Sequence, residues 1–154
     1  MKFLVNPKSL TQSMALLGCL ALLSGCFETS WKAATCPTTG SVMVNGKPAF
    51  DAFVRMTSRS GPIDERNSDC WAYVQEDGTF AMSTYEMGDG CPPGEYDLLL
   101  RWPADRITMM PDRLGGKYWN PEDPFMTVTI EPGTNEIPPI ELTGITVKPK
   151  PPGW

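Results

Sequence analysis

Proline and glycine punctuate this chain so closely that no long helix fits between them. Sixteen prolines and fourteen glycines make up nearly a fifth of the 154 residues. A proline inside a helix removes a backbone hydrogen bond and collides with the preceding turn, at about 3 kcal/mol. The apolar runs between them are short and show no convincing 3.6-residue period. That pattern predicts an all-β domain with many turns. Seven strands are expected: residues 41–44, 52–57, 70–75, 79–84, 95–102, 125–130 and 135–142. Short strands at this spacing fit an antiparallel β-sandwich.

Two dipeptides predict the tight turns. Asn45-Gly46 follows the first run, and both residues tolerate positive φ, so a hairpin to the second run at 52–57 is expected. Glu76-Asp77-Gly78 predicts a second hairpin between 70–75 and 79–84. In 95–102 the residues Tyr96, Leu98, Leu100 and Trp102 share one face, and Met126, Val128 and Ile130 do so in 125–130. Phe80, Tyr96 and Trp102 are expected in the core. Trp71 and Tyr73 lie opposite Cys70, Ala72 and Val74, and alternation alone leaves open which set points inward.

The stretch 103–124 does not alternate, and a loop of that length is usually functional or disordered. Its Tyr118 and Trp119 carry two readings. They plug an open end of the sandwich, or they form a flat platform for a glycan or peptide. The proline-rich tail 147–154 is expected to be extended and mobile.

The first 25 residues read differently. Lys2 and Lys8 precede ten apolar residues, 14–23, too few for a spanning helix of about 20. Leu23-Ser24-Gly25-Cys26 follows at once and resembles a lipobox, in which the cysteine thiol accepts diacylglycerol. The chain is therefore divided into a signal peptide (1–25), a lipidated terminus and tether (26–39), a β-sandwich (40–142) and a tail (143–154). Removal of the signal leaves eleven basic against eighteen acidic residues, a net charge of −7. Such a domain has no basic stripe for nucleic acid and is repelled by anionic head groups. Lipid on Cys26, with palmitate-type acyl chains, then supplies the attachment, because stable anchoring takes at least two chains. The expected location is the extracytoplasmic cell envelope.

Several motifs in order carry a family resemblance. They are Gly40-Ser41-Val42, Asn45-Gly46-Lys47-Pro48, Ala52-Phe53-Val54, Glu76-Asp77-Gly78-Thr79-Phe80 and Gly94-Glu95-Tyr96. Together they resemble the carboxypeptidase regulatory-like domain, a transthyretin-like, prealbumin-type sandwich. Ser83-Thr84-Tyr85, Gly88-Asp89-Gly90-Cys91-Pro92-Pro93, Asp112-Arg113-Leu114 and Lys117-Tyr118 resemble a bacterial lipoprotein subgroup of it. Cys70 and Cys91 depart from that pattern. The resemblance implies an extracytoplasmic and typically non-catalytic accessory module; an envelope protein or glycan is separately expected as its partner.

The chain has no histidine, which removes Ser-His and Cys-His pairs, histidine metal sites and the commonest general base. No Gly-rich phosphate motif or other cofactor signature occurs. Besides Cys26, the mature chain carries Cys36, Cys70 and Cys91. The 76–78 turn returns the chain to the end where Cys70 lies, so a Cys70–Cys91 disulfide is expected, as an oxidising envelope permits. Cys36 pairing with either of them, or with another chain, is the alternative. A thiolate metal or redox site lacks Cys-x-x-Cys spacing. Glu76, Asp77, Glu86 and Asp89 lie in turns, but the spacing of a calcium loop is missing, and turn chemistry accounts for both aspartates.

Overall fold

The computed structural model describes residues 31–151; the signal, Cys26 and residues 27–30 of the tether lie outside the described residues. Within them the protein is all-β, with two sheets and no helix. Among the described residues no helix is long and apolar enough to cross a membrane. The strands are β1 (Thr38–Val44), β2 (Lys47–Pro48), β3 (Phe53–Ser58), β4 (Cys70–Tyr73), β5 (Thr79–Ala81), β6 (Gly94–Arg101), β7 (Met126–Ile130), β8 (Asn135–Glu136) and β9 (Ile140–Leu142).

The count among the described residues is nine, not seven. Pro138 and Pro139 cannot donate to a ladder and split the expected strand 135–142 into β8 and β9. Both pieces pair parallel with β1, so that sheet is mixed. β1 is its centre, with β2 and β5 as antiparallel neighbours. The second sheet is antiparallel throughout, in the order β4-β3-β6-β7.

Both expected hairpins are shorter than the pattern suggested. Asn45 and Gly46 have φ of 52° and 75°, the backbone of a type I′ turn. Their return arm is only Lys47–Pro48, after which the missing N–H of Pro48 ends the ladder. The chain then crosses through Ala49 and Ala52, both buried, and enters the other sheet as β3. The Asp77-Gly78 turn closes with the Gln75 N–H donating to Thr79 O at 2.8 Å. Beyond it β4 and β5 part into different sheets, joined by the bridge between Trp71 and Ser83.

The core fills the space between the sheets. Val54, Met56, Cys70, Ala72, Val74, Tyr96, Leu98 and Leu100 meet Val42, Val44, Phe80 and Met82 there. That places Cys70, Ala72 and Val74 inside and Trp71 and Tyr73 outside. Tyr96 donates its hydroxyl proton to Pro92 O at 2.8 Å, and Trp102 Nε1–H donates to Phe50 O at 2.8 Å. Both aromatic bodies are thereby buried without an orphaned polar end.

The strand ends define two poles. The start of β1, the end of β3 and the starts of β4 and β6 lie at one, with loops 59–69, 82–93 and 131–134. Loops 45–52, 74–78 and 102–125 lie at the other.

Candidate functional site

The 103–124 loop owes its order to one carboxylate. Asp112 is buried, and its Oδ1 accepts the N–H groups of Trp102 and Leu114, both at 3.0 Å. Its Oδ2 accepts the Gly116 N–H at 2.8 Å. The loop then lies against β6, where the Leu100 N–H donates to Tyr118 O at 2.9 Å. Tyr118, one of the two aromatics read as ligand contacts, is 8% exposed and packs edge-on against Phe125. Trp119 is half-buried, with Phe53 at 5.8 Å between ring centroids and the Arg101 guanidinium 4.4 Å from its own ring. The structure therefore brings Trp119 to the outer face of the second sheet and takes Tyr118 away from it.

That outer face is an aromatic layer interleaved with arginine. Phe53 touches Trp71, Tyr73 and Trp119, and Arg106 from the long loop lies 4.1 Å over the Tyr73 ring. A guanidinium over a ring face gains about 0.5–2 kcal/mol depending on desolvation. Arg106 also stands 3.2 Å from Asp51. The Nε atoms of Arg55 and Arg101 are buried on this face without a hydrogen-bond partner in the protein. Beside the layer runs a groove of about 740 Å³, lined by Trp71, Tyr73, Gln75, Ala81, Met87 and Arg106 among others. It lies where β4 and β5 separate. Phe50 and Met87 stand exposed on its rim, Met87 at 81%.

The expected disulfide partners meet in the core at the other pole. Cys70 and Cys91 are both fully buried there, and Cys70 Sγ lies 3.3 Å from Thr84 Oγ1. Thr84 in turn donates to Gly90 O at 2.7 Å. The neighbouring Cys91 thiol holds Cys70 below the ordinary thiol value. Cys70, together with burial, pushes Cys91 far up. Among the described residues Cys36, Cys70 and Cys91 carry no disulfide. Cys36 faces Cys91 across an antiparallel bridge, with N–H···O bonds of 2.8 and 3.1 Å in both directions. Gly90 makes this approach possible, because a Cβ there would lie 1.8 Å from the Cys36 carbonyl oxygen. Among the described residues no group of three or more His, Cys, Asp or Glu side chains converges to hold a metal ion. Asp77 and Asp89 are engaged in their own turns: Asp77 accepts from Thr79, and Asp89 from the N–H groups of Thr84 and Tyr85.

The segment read as a free tether is docked from residue 31 onward. Trp31 lies edge-on to Tyr85 at 5.5 Å, with the Arg66 guanidinium 3.9 Å from its ring. The Ala33 N–H donates to the Tyr85 hydroxyl at 2.9 Å, and that hydroxyl donates to Asp64 Oδ2 at 2.8 Å. The tail is docked as well. The Lys148 N–H donates to Arg113 O, and Arg113 Nε–H donates to Lys148 O. The sequence offered no signal for either strap, because each is pinned by residues distant along the chain.

Asp64 makes the N-terminal strap sensitive to acid. Burial opposes its charge, but hydrogen bonds from Ser68, Tyr85 and the Arg66 N–H outweigh that and hold it at about 2, below the usual 3.8. A carboxyl lowered on folding contributes stability above its unfolded value and loses it as pH falls through the folded one. The strap is therefore expected to stay closed at pH 5 and to loosen from about pH 4 down through about 2. The check is the share of tryptophan emission that Trp31→Phe removes; if that share ignored this interval, the pin would be wrongly assigned.

Comparison of the chain with family models, with curated proteins and with solved structures gives no match.

Proposed function

We propose that this chain is a lipid-anchored module of a bacterial cell envelope, held on the extracytoplasmic side of its membrane through Cys26. In this reading it acts as a non-catalytic structural or interaction domain. The observation that carries it is Leu23-Ser24-Gly25-Cys26 directly after ten apolar residues. The acidic charge of the mature chain supports the same reading, since surface charge would not keep it on a membrane. The sandwich is read as the transthyretin-like one of the carboxypeptidase regulatory-like domain. In support, Asn45-Gly46 and Asp77-Gly78 occupy tight turns, and Gly94-Glu95-Tyr96 opens β6.

Cys26→Ala is expected to abolish incorporation of labelled palmitate and to move the protein from the membrane fraction to the soluble one. Full retention on membranes by the Cys26→Ala chain would overturn the anchor.

A second reading keeps the long loop as a contact for glycan or peptide. It is favoured by Arg106, which reaches from that loop over Tyr73 to line the groove beside Trp71. Pockets of this volume suit small ligands. Loss of binding to an immobilised glycan or peptide in Arg106→Ala would support it, and unchanged binding would move the contact elsewhere.

A further inference from the structure

Where the chain enters the folded domain decides which pole faces the lipid. Only residues 27–30 separate Cys26 from Trp31. Five residue steps span at most about 17 Å when fully extended. Trp31 is not free to lengthen that leash, because Tyr85 and Arg66 hold its ring and the Ala33 N–H is bound to Tyr85. Behind them, Cys36 is fixed by two hydrogen bonds to Cys91. The two poles are separated by the length of the strands between them. β6, with eight residues, alone covers about 24 Å. The leash is shorter than that distance, so the pole bearing the 103–124 loop cannot turn onto the bilayer while the strap is closed.

The side chains around the entry point suit a lipid–water boundary. Trp31 and Tyr85 are amphipathic rings, and Lys32 and Arg66 are long cations lying against them. Such residues favour the head-group level, where the ring is half apolar and the charge stays wet. Beside them a shallow apolar cleft of about 370 Å³ is lined by Ala33, Ala34, Pro62, Ile63 and Pro93, among others. The charge here is mixed, with Glu65 and Glu86 exposed on the same loops. Contact is therefore imposed by the anchor and the rings, not by attraction to anionic lipid.

We infer that the pole formed by Trp31, Lys32, Ile63, Arg66 and Tyr85 rests on the bilayer head groups, and that the 103–124 loop and its groove are presented outward. This inference rests on lipidation at Cys26. The test uses the full-length lipidated protein in phosphatidylcholine vesicles whose acyl chains carry bromine, a short-range quencher of tryptophan. The wild-type chain should float with the vesicles and show quenching. Trp31→Phe should float equally and lose that quenching, while Trp119→Phe should keep it. A chain that fails to float would overturn the anchor and the inference with it. A chain that floats but is quenched equally with and without Trp31, or loses its quenching in Trp119→Phe, would overturn the orientation alone.

Discussion

Replacing Asp112 with alanine is expected to lower the stability of the domain by about 3 kcal/mol, among the larger effects a single substitution produces. The reason is arithmetic of partners. One buried carboxylate accepts three backbone N–H groups, from Trp102, Leu114 and Gly116. Removing it leaves three donors without an acceptor, two of them, from Trp102 and Leu114, where water reaches poorly. Hydrogen bonds to a charged acceptor contribute about 1.5–3 kcal/mol each, but part of the loop can relax, so the three do not add fully. Asp112→Asn should cost less, about 1–2 kcal/mol, because it keeps one acceptor oxygen and introduces an N–H facing the third donor. Urea unfolding of the soluble Cys26→Ala chain, followed by tryptophan emission, measures both. An Asp112→Ala chain within about 0.5 kcal/mol of its parent would mean that the loop is held by something else.

The second large effect concerns the thiols. Cys70 and Cys91 are buried in one core, and thiol–disulfide exchange with a partner disulfide would join them, the two electrons and two protons passing to the partner, which leaves as two thiols. The bridge would close a loop of about 20 residues and stabilise the domain by roughly 3 kcal/mol in the chain-entropy account. For a domain of this size that corresponds to a fall in Tm of about 10 °C on reduction. Non-reducing peptide mapping should find Cys70 joined to Cys91, with Cys36 alkylated. Recovery of Cys36 joined to Cys91 instead would reassign the bridge, and three alkylated thiols would remove it. The competition is real in geometric terms. Directly opposed residues in a hydrogen-bonded pair have Cα atoms about 5.5 Å apart, within the bridging range.

The strands were legible because their signals are local. Alternation located the inward faces of β6 and β7, and the glycine turns located two reversals of the chain. What the residues could not reveal is which strand lies beside which. The Asn45-Gly46 turn pointed to a hairpin with the strand expected at 52–57, whereas Pro48 cuts the ladder and β3 joins the other sheet. Pairing across sheets depends on packing of small residues such as Ala49 and Ala52, which carry no periodic signature. The turn at 76–78 was legible, and it returns the chain towards Cys70. The roles of Asp112 and Asp64 were not, because a capping aspartate looks like any other polar loop residue until its donors are in place. The aromatic layer was half legible: Trp71 and Tyr73 were seen to share a face, but only the arrival of Trp119 and Arg106 from the long loop decides that the face points outward.

The central position of β1 has a consequence for timing. Its parallel partners begin at Asn135 and Ile140, and Asn45 is tied to Ile145 across 100 residues of chain. Contacts of such separation form slowly, because loop closure costs entropy before any pairing offsets it. The first strand made is completed by the last two, so a nascent chain has no finished sheet to close around until nearly all of it has emerged. For a chain proposed to be exported, that delay would be an advantage: it would pass through a narrow channel as a thread and become a sandwich only on the far side.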